Sequence, residues 1–141
     1  MRVEEIMTHG VDFANRTDSV QEVAKKMQKD NVGALPVFDG NFAVGIITDR
    51  DIAVRLVAKG LDSTKTSVSQ IMTRDVYFCS INDTVEEAAK IMETKQVRRL
   101  LVKNEYDHVT GLVSIADIAR ADGALTARIL LKVTTPAQPS W

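Results

Sequence analysis

Apolar residues along this chain follow two alternating periods, and the order of those periods occurs twice. Val20, Val23, Ala24 and Met27 fall at i, i+3, i+4 and i+7, which is one face of a helix. Val85, Ala88, Ala89 and Met92 repeat that spacing. Ser19 with Glu22, and Thr84 with Glu87, stand where capping boxes would open the two helices. Two short β-prone runs follow each helix. In the first copy they are ALPVF and VGIIT, parted by Asp39, Gly40 and Asn41; in the second they are LLV and TGLVS, around a turn from Asn104 to His108. A further helix is predicted from near Asp49 to Gly60, a residue suited to the position just past a helix end.

Laying the chain on itself makes the repetition explicit. VEEIMT (3–8) returns as VSQIMT (68–73), and DSVQEVAKKMQKDNVGALPV (18–37) returns as DTVEEAAKIMETKQVRRLLV (83–102), both at an offset of 65. GIITDRDIA (45–53) returns as GLVSIADIA (111–119) at an offset of 66, so the second hairpin turn carries one extra residue. Each copy reads β-α-β-β-α. The fold class is therefore α/β (α+β), with two pseudo-symmetric repeats expected to pack sheet to sheet, because a unit of ~60 residues is marginal alone. The expected division is repeat one at 1–60, a connector (LDSTKTS) at 61–67, repeat two at 68–122, and a C-terminal helix and tail at 123–141. The amphipathic run ALTARILLKV is expected to cover an edge of the module or a dimer partner, and the tail TTPAQPSW to fray.

Composition narrows the function classes. The 141 residues carry 18 basic and 19 acidic side chains, a net charge of −1, which gives no bulk attraction to nucleic acid or an anionic membrane. No apolar run reaches the ~20 residues of a membrane span. The first ten residues look unlike a secretory signal. The single Cys79 can form no internal disulfide, which suits a reducing cytoplasm. It lies in the apolar run VYFCSI and reads as a packed thiol, while His9 and His108 lack partners at metal-ligand spacing, so no metal is expected.

Candidate chemistry gathers where β-prone runs end: Thr48-x-x-Asp51 and Ser114-x-x-Asp117. Both pairs can serve as capping boxes. The same geometry could serve a ligand, with a hydroxyl donating to phosphate and an aspartate accepting from a ribose diol, while Gly45 and Gly111 let the chain pass close. Catalysis by Asp49 and Asp51 fares poorly. Two residues apart on a helix, they point about 200° from one another, and Ile115 replaces Asp49 in the second copy.

The set formed by IMT opening each copy, by NVGALPV and QVRRLLV, and by G-x-x-T-x-x-D and G-x-x-S-x-x-D resembles the CBS domain. Domains of that family occur in tandem as Bateman modules, and the GALPV and TDRD stretches resemble stand-alone bacterial examples. The resemblance spans about residues 3–120. It implies a non-catalytic regulatory module, without a cofactor, that binds an adenosine-containing nucleotide (AMP, ADP, ATP or S-adenosylmethionine) in clefts between the repeats. Carried over, one cleft would take Ser114, Asp117, Arg98 and Arg99, with the base near Thr8, Val11, Val32 and Gly33. The other would take Thr48 and Asp51, with the base near Thr73, Val76 and Val97. Arg98 and Arg99 stand where copy one has Gly33 and Ala34, so their cleft is expected to be the better phosphate site. The other cleft would be weaker, empty or dependent on Arg50. The alternative pairs Arg98 and Arg99 with Glu93 or Glu105, and Leu101 replaces Pro36 in the base pocket. The resemblance also implies a homodimer and an unknown effector protein. A structural or protein-interaction module without nucleotide is the alternative.

Overall fold

The computed structural model describes residues 1–10 and 12–133. Two expectations, the frayed tail at 134–141 and a base contact at Val11, lie outside the described residues. In chain order the elements are α1 (Val3–Ile6), β1 (Thr8–His9), β2 (Ala14–Asn15), α2 (Val20–Asp30), β3 (Ala34–Asp39), β4 (Phe42–Thr48) and α3 (Asp49–Asp51). A π-helical stretch (Ile52–Val57) continues α3, and a 3-10 turn (Val68–Gln70) follows. Then come β5 (Phe78–Ser80), α4 (Val85–Lys95), β6 (Arg99–Lys103), β7 (Val109–Ser114), α5 (Ile115–Ala121) and α6 (Gly123–Val133).

These elements gather into two compact units whose borders differ from those of the sequence repeats. Of the described residues, those from 12 to Val76 form the middle unit, and the split unit joins Met1–Gly10 to Tyr77–Val133. The opening of each repeat is therefore packed with the body of the other. Val3 and Met7 lie in one core with Val85, Ala88, Met92, Leu100 and Val113, while Val68, Ile71 and Met72 share a core with Val20, Val23, Leu35 and Ile47.

In the middle unit the sheet order is β2-β3-β4, with β2 parallel to β3 and β3 antiparallel to β4. Thr73 extends it by exchanging two 2.9 Å backbone bonds with Ile46. In the split unit the order is β1-β7-β6-β5, and Thr8 and His9 pair antiparallel with Leu112 and Gly111. Leu101 N–H donates to Tyr77 O at 2.9 Å, a bond that Pro36 cannot form in the other copy.

Helix ends follow the residues expected of them, with differences. Ser19 and Thr84 accept from the backbone N–H groups of Glu22 and Glu87 at 3.2 and 3.1 Å, which forms the N-cap half of each expected capping box without the return bond from the glutamate. Both helices end on a left-handed residue, Asn31 and Gln96, each with φ of 54°. The connector is ordered rather than loose: Thr66 O accepts from Val20 N and Ser63 O from Gln21 N. The helix predicted from Asp49 to Gly60 is mostly wider than α, with Ala58 N bonding to Ala53 O and Leu61 N to Leu56 O, and Gly60 (φ 68°) closes it. Ala24, predicted to be buried, is exposed, whereas its counterpart Ala89 is fully buried. The cause is α6, which packs on α4 and α5 and brings Ile129 into the core. No described helix plays that part in the middle unit.

Candidate functional site

Both hydroxyl–carboxylate turns form, and both are capping boxes. Asp51 N–H donates to Thr48 Oγ1 at 3.1 Å and Thr48 N–H to Asp51 Oδ2 at 3.0 Å. Asp117 N–H donates to Ser114 Oγ at 3.3 Å and Ser114 N–H to Asp117 Oδ2 at 2.9 Å. The aspartates are 7% and 5% exposed, although the turns lie near the surface. Burial without an uncompensated charge is achieved by these bonds together with one cation each.

The cation differs between the units. In the middle unit Arg55 Nη1 lies 3.9 Å from Asp51 Oδ1 and donates to the carbonyls of Ile71 and Met72 at 3.3 and 3.0 Å. It thereby ties the 71–73 segment to the turn. Thr73 Oγ1 donates to the Asp51 carboxylate, 3.1 and 3.2 Å from its two oxygens. In the split unit Arg120 pairs with Asp117 Oδ1 through a side chain that is 71% exposed. Thr8, the counterpart of Thr73, is exposed and makes no bond to Asp117. The roles of Arg55 and Arg120 were missed in the sequence, although their spacing of four and three residues from the aspartates was visible there.

Gly45 and Gly111 have a role other than the one expected. A Cβ on Gly45 would lie 2.7 Å from Thr73 O and 2.8 Å from Met72 Sδ; on Gly111 it would collide with Thr8 O. These glycines admit the Ile-Met-Thr segments. The close approach is to protein backbone.

Arg98 and Arg99 flank the split unit's turn. Arg99 is the cross-strand partner of Ser114, so their side chains share a face, and Arg98 O accepts from Ile115 N at 2.9 Å. Both arginines are exposed, and among the described residues neither takes part in an ion pair or side-chain hydrogen bond. The pairing with Glu93 is absent because Glu93 accepts from Arg128 on α6. In the middle unit the matching places hold Gly33 and Ala34, with Ala34 opposite Thr48 and Gly33 O accepting from Asp49 N at 2.9 Å.

Of the other residues named for a site, Thr73, Val76, Val32 and Gly33 belong to the middle unit with Thr48 and Asp51. Thr8 and Val97 belong to the split unit with Arg98, Arg99, Ser114 and Asp117. Val32, Val76 and Val97 are half-buried. Cys79 is buried, and that burial, with the nearby charge of Asp83, pushes its thiol up to about 12. It is a core residue with little thiolate character. His9 and His108 are exposed. Among the described residues no group of three or more His, Cys, Asp or Glu could hold a metal ion, and no helix is long and apolar enough to cross a membrane.

Comparison with known proteins places this geometry. The family model of the CBS domain matches residues 3–58 and 68–124. The CBS domain-containing protein YhcV of Bacillus subtilis is 35% identical over 117 residues, covering 83% of this chain and 82% of its own. The crystal structure of Hypoxic Response Protein I, with two coordinated zinc ions, is 32% identical with a TM-score of 0.72, covering 85% of this chain and 98% of that one. The CBS-domain pair of protein MJ0100, in complex with 5′-methylthioadenosine and S-adenosyl-L-methionine, is 31% identical with a TM-score of 0.75, covering 88% and 97%. With both repeats matched and the Thr48–Asp51 and Ser114–Asp117 turns formed, this chain belongs to the CBS-domain family as a tandem pair.

Proposed function

We propose that this chain is a non-catalytic sensor that binds an adenosine-containing nucleotide, with the phosphate held by the Arg98–Arg99 side of the split unit. One observation carries the reading: Arg98 and Arg99, both exposed and without an ion-pair partner among the described residues, stand beside a Ser-x-x-Asp turn. A guanidinium with no carboxylate to satisfy offers its forked donors to phosphate, at about 1.5–3 kcal/mol per charge-assisted contact. Arg99 shares the face of Ser114, so the guanidinium can donate to a phosphate together with the hydroxyl once that hydroxyl leaves Asp117 Oδ2, to which it donates at 3.1 Å. A ribose diol can donate to Asp117 Oδ1 in place of Arg120, whose exposed side chain can turn to water.

The MJ0100 pair supports the ligand class, since it was solved with two adenosine-containing molecules. The bonding of the aspartates supports the non-catalytic part of this reading. Asp51 and Asp117 are held by their own turn amides and by cations, so neither is placed to act as a free base. Nucleotide binding then signals only through different affinities for two arrangements of the protein, read out by a homodimer contact or an effector protein.

Isothermal calorimetry with AMP, ADP, ATP and S-adenosylmethionine, on wild type and Asp117→Ala, tests the reading. Heat with at least one ligand, weakened about tenfold or more in the variant, is expected. Silence with all four would remove nucleotide binding and leave an interaction module.

A further inference from the structure

The two turns share a framework but carry different charges, and the difference centres on one spot. Gly33 in the middle unit occupies the place of Arg98, and Asp49 occupies the place of Ile115. The Asp49 carboxylate covers that place directly: a Cβ on Gly33 would lie 2.9 Å from Asp49 Oδ2. Where the split unit sends out a guanidinium, the middle unit therefore presents a carboxylate oxygen. Asp49 Oδ1 accepts from its neighbour's backbone, Arg50 N, at 2.8 Å, which holds the group in position. Ala34 supplies no charge opposite Thr48, whereas Arg99 stands opposite Ser114. Asp51 already accepts from Thr73 and from the Thr48 amide.

We infer that Asp49 is a specificity residue: it turns phosphate away from the middle unit, whose Thr48–Asp51 turn takes a phosphate-free adenosine ligand, neutral or cationic. This rests on the adenosine-binding reading above and adds the division of labour between the two turns. A phosphate at hydrogen-bond distance from Thr48 would meet the exposed carboxylate of the next residue, Asp49. At solvent-like screening that repulsion corresponds to a factor of about five in affinity. Adenosine has no charge for Asp49 to oppose. Its hydroxyls and the sulfonium of a cationic analogue find an acceptor-rich turn acceptable or favourable.

The test uses the whole chain carrying Arg98→Ala and Arg99→Ala, which silences phosphate binding at the split unit. AMP and adenosine are titrated into it with and without Asp49→Asn. Asparagine keeps an oxygen for Arg50 N and removes the charge. Asp49→Ile, which restores the residue type that the split unit carries, serves as a second variant, and thermal melts confirm that each chain folds. Adenosine is expected to bind with AMP weaker than it, and removal of the charge is expected to tighten AMP about fivefold at low salt. The AMP gain should shrink as salt rises, and adenosine should change less than twofold. AMP unchanged in both variants, or adenosine shifted as far as AMP, would overturn the role of Asp49 while leaving nucleotide binding intact. Absence of heat with any adenosine ligand, in wild type as well, would overturn both proposals.

Discussion

Asp51 and Asp117 hold equivalent turns, yet their removal should not cost the same. Alanine at either frees one backbone amide and ends a reciprocal cap, worth about 1–2 kcal/mol. At Asp51 the change also strands the Thr73 hydroxyl and the nearby Arg55 guanidinium, whereas Arg120 can turn to water. Urea unfolding should show Asp51→Ala to be the more destabilising by about 1 kcal/mol. Glycines give a second residue-scale expectation. Gly45→Ala and Gly111→Ala would push a methyl into backbone carbonyls and should each cost about 2 kcal/mol or more. Gly123→Ala meets nothing within 4 Å and should be neutral or slightly stabilising.

Cys79 supplies a prediction with a definite pH sense. Burial raises its thiol from 9.0 to about 12, so the fold favours the protonated form. That contribution is fully present below pH 9 and is lost as pH rises from 9 through 12. At pH 8 iodoacetamide should label the folded protein far more slowly than the urea-unfolded chain. Equal rates would show that the thiol is not shielded.

At the scale of elements, helical periodicity, turn residues and the two-period pattern carried most of the information. The faces of α2 and α4 and both Thr/Ser-x-x-Asp turns follow from local rules about caps and spacing. Those rules could not say that Ala24 would stay exposed, because its burial depends on whether another helix arrives, as α6 does over Ala89. Nor could they show that Gly45 and Gly111 serve passing backbone, since the segments they admit lie 28 and 103 residues away, at Thr73 and Thr8. Arg98 and Arg99 were legible as a basic pair, but only the register shows that Arg99 shares the face of Ser114. The connector yields one further test. Thr66 is buried, donates its hydroxyl to Asp62 O at 2.8 Å and caps Val20 with its carbonyl. Thr66→Val should loosen the start of α2, visible as faster amide exchange at Val20 and Gln21 with α4 unaffected.

Across the whole molecule, the exchange of repeat openings sets which parts unfold together. Residues 1–10 give the split unit its β1 edge and the buried side chains of Val3 and Met7. Deleting them should collapse amide protection in β6 and β7 while β3 and β4 keep theirs. Were the first repeat a self-contained unit, β3 and β4 would suffer instead. This arrangement also sets each threonine's surroundings: Thr8 lies in the unit of Ser114, and Thr73 in that of Thr48.

In the proposed function, Arg98 and Arg99, which have no ion-pair partner among the described residues, make the Ser114–Asp117 side of this chain a nucleotide receptor. Titrating AMP into wild type and into the Arg98→Ala, Arg99→Ala chain, at low and at high salt, addresses it most directly. Saturable binding by wild type is expected, weakened about 10- to 100-fold in the variant, with a salt dependence that largely disappears along with the arginines. Binding of equal strength and equal salt dependence in both chains, or none in wild type, would contradict it.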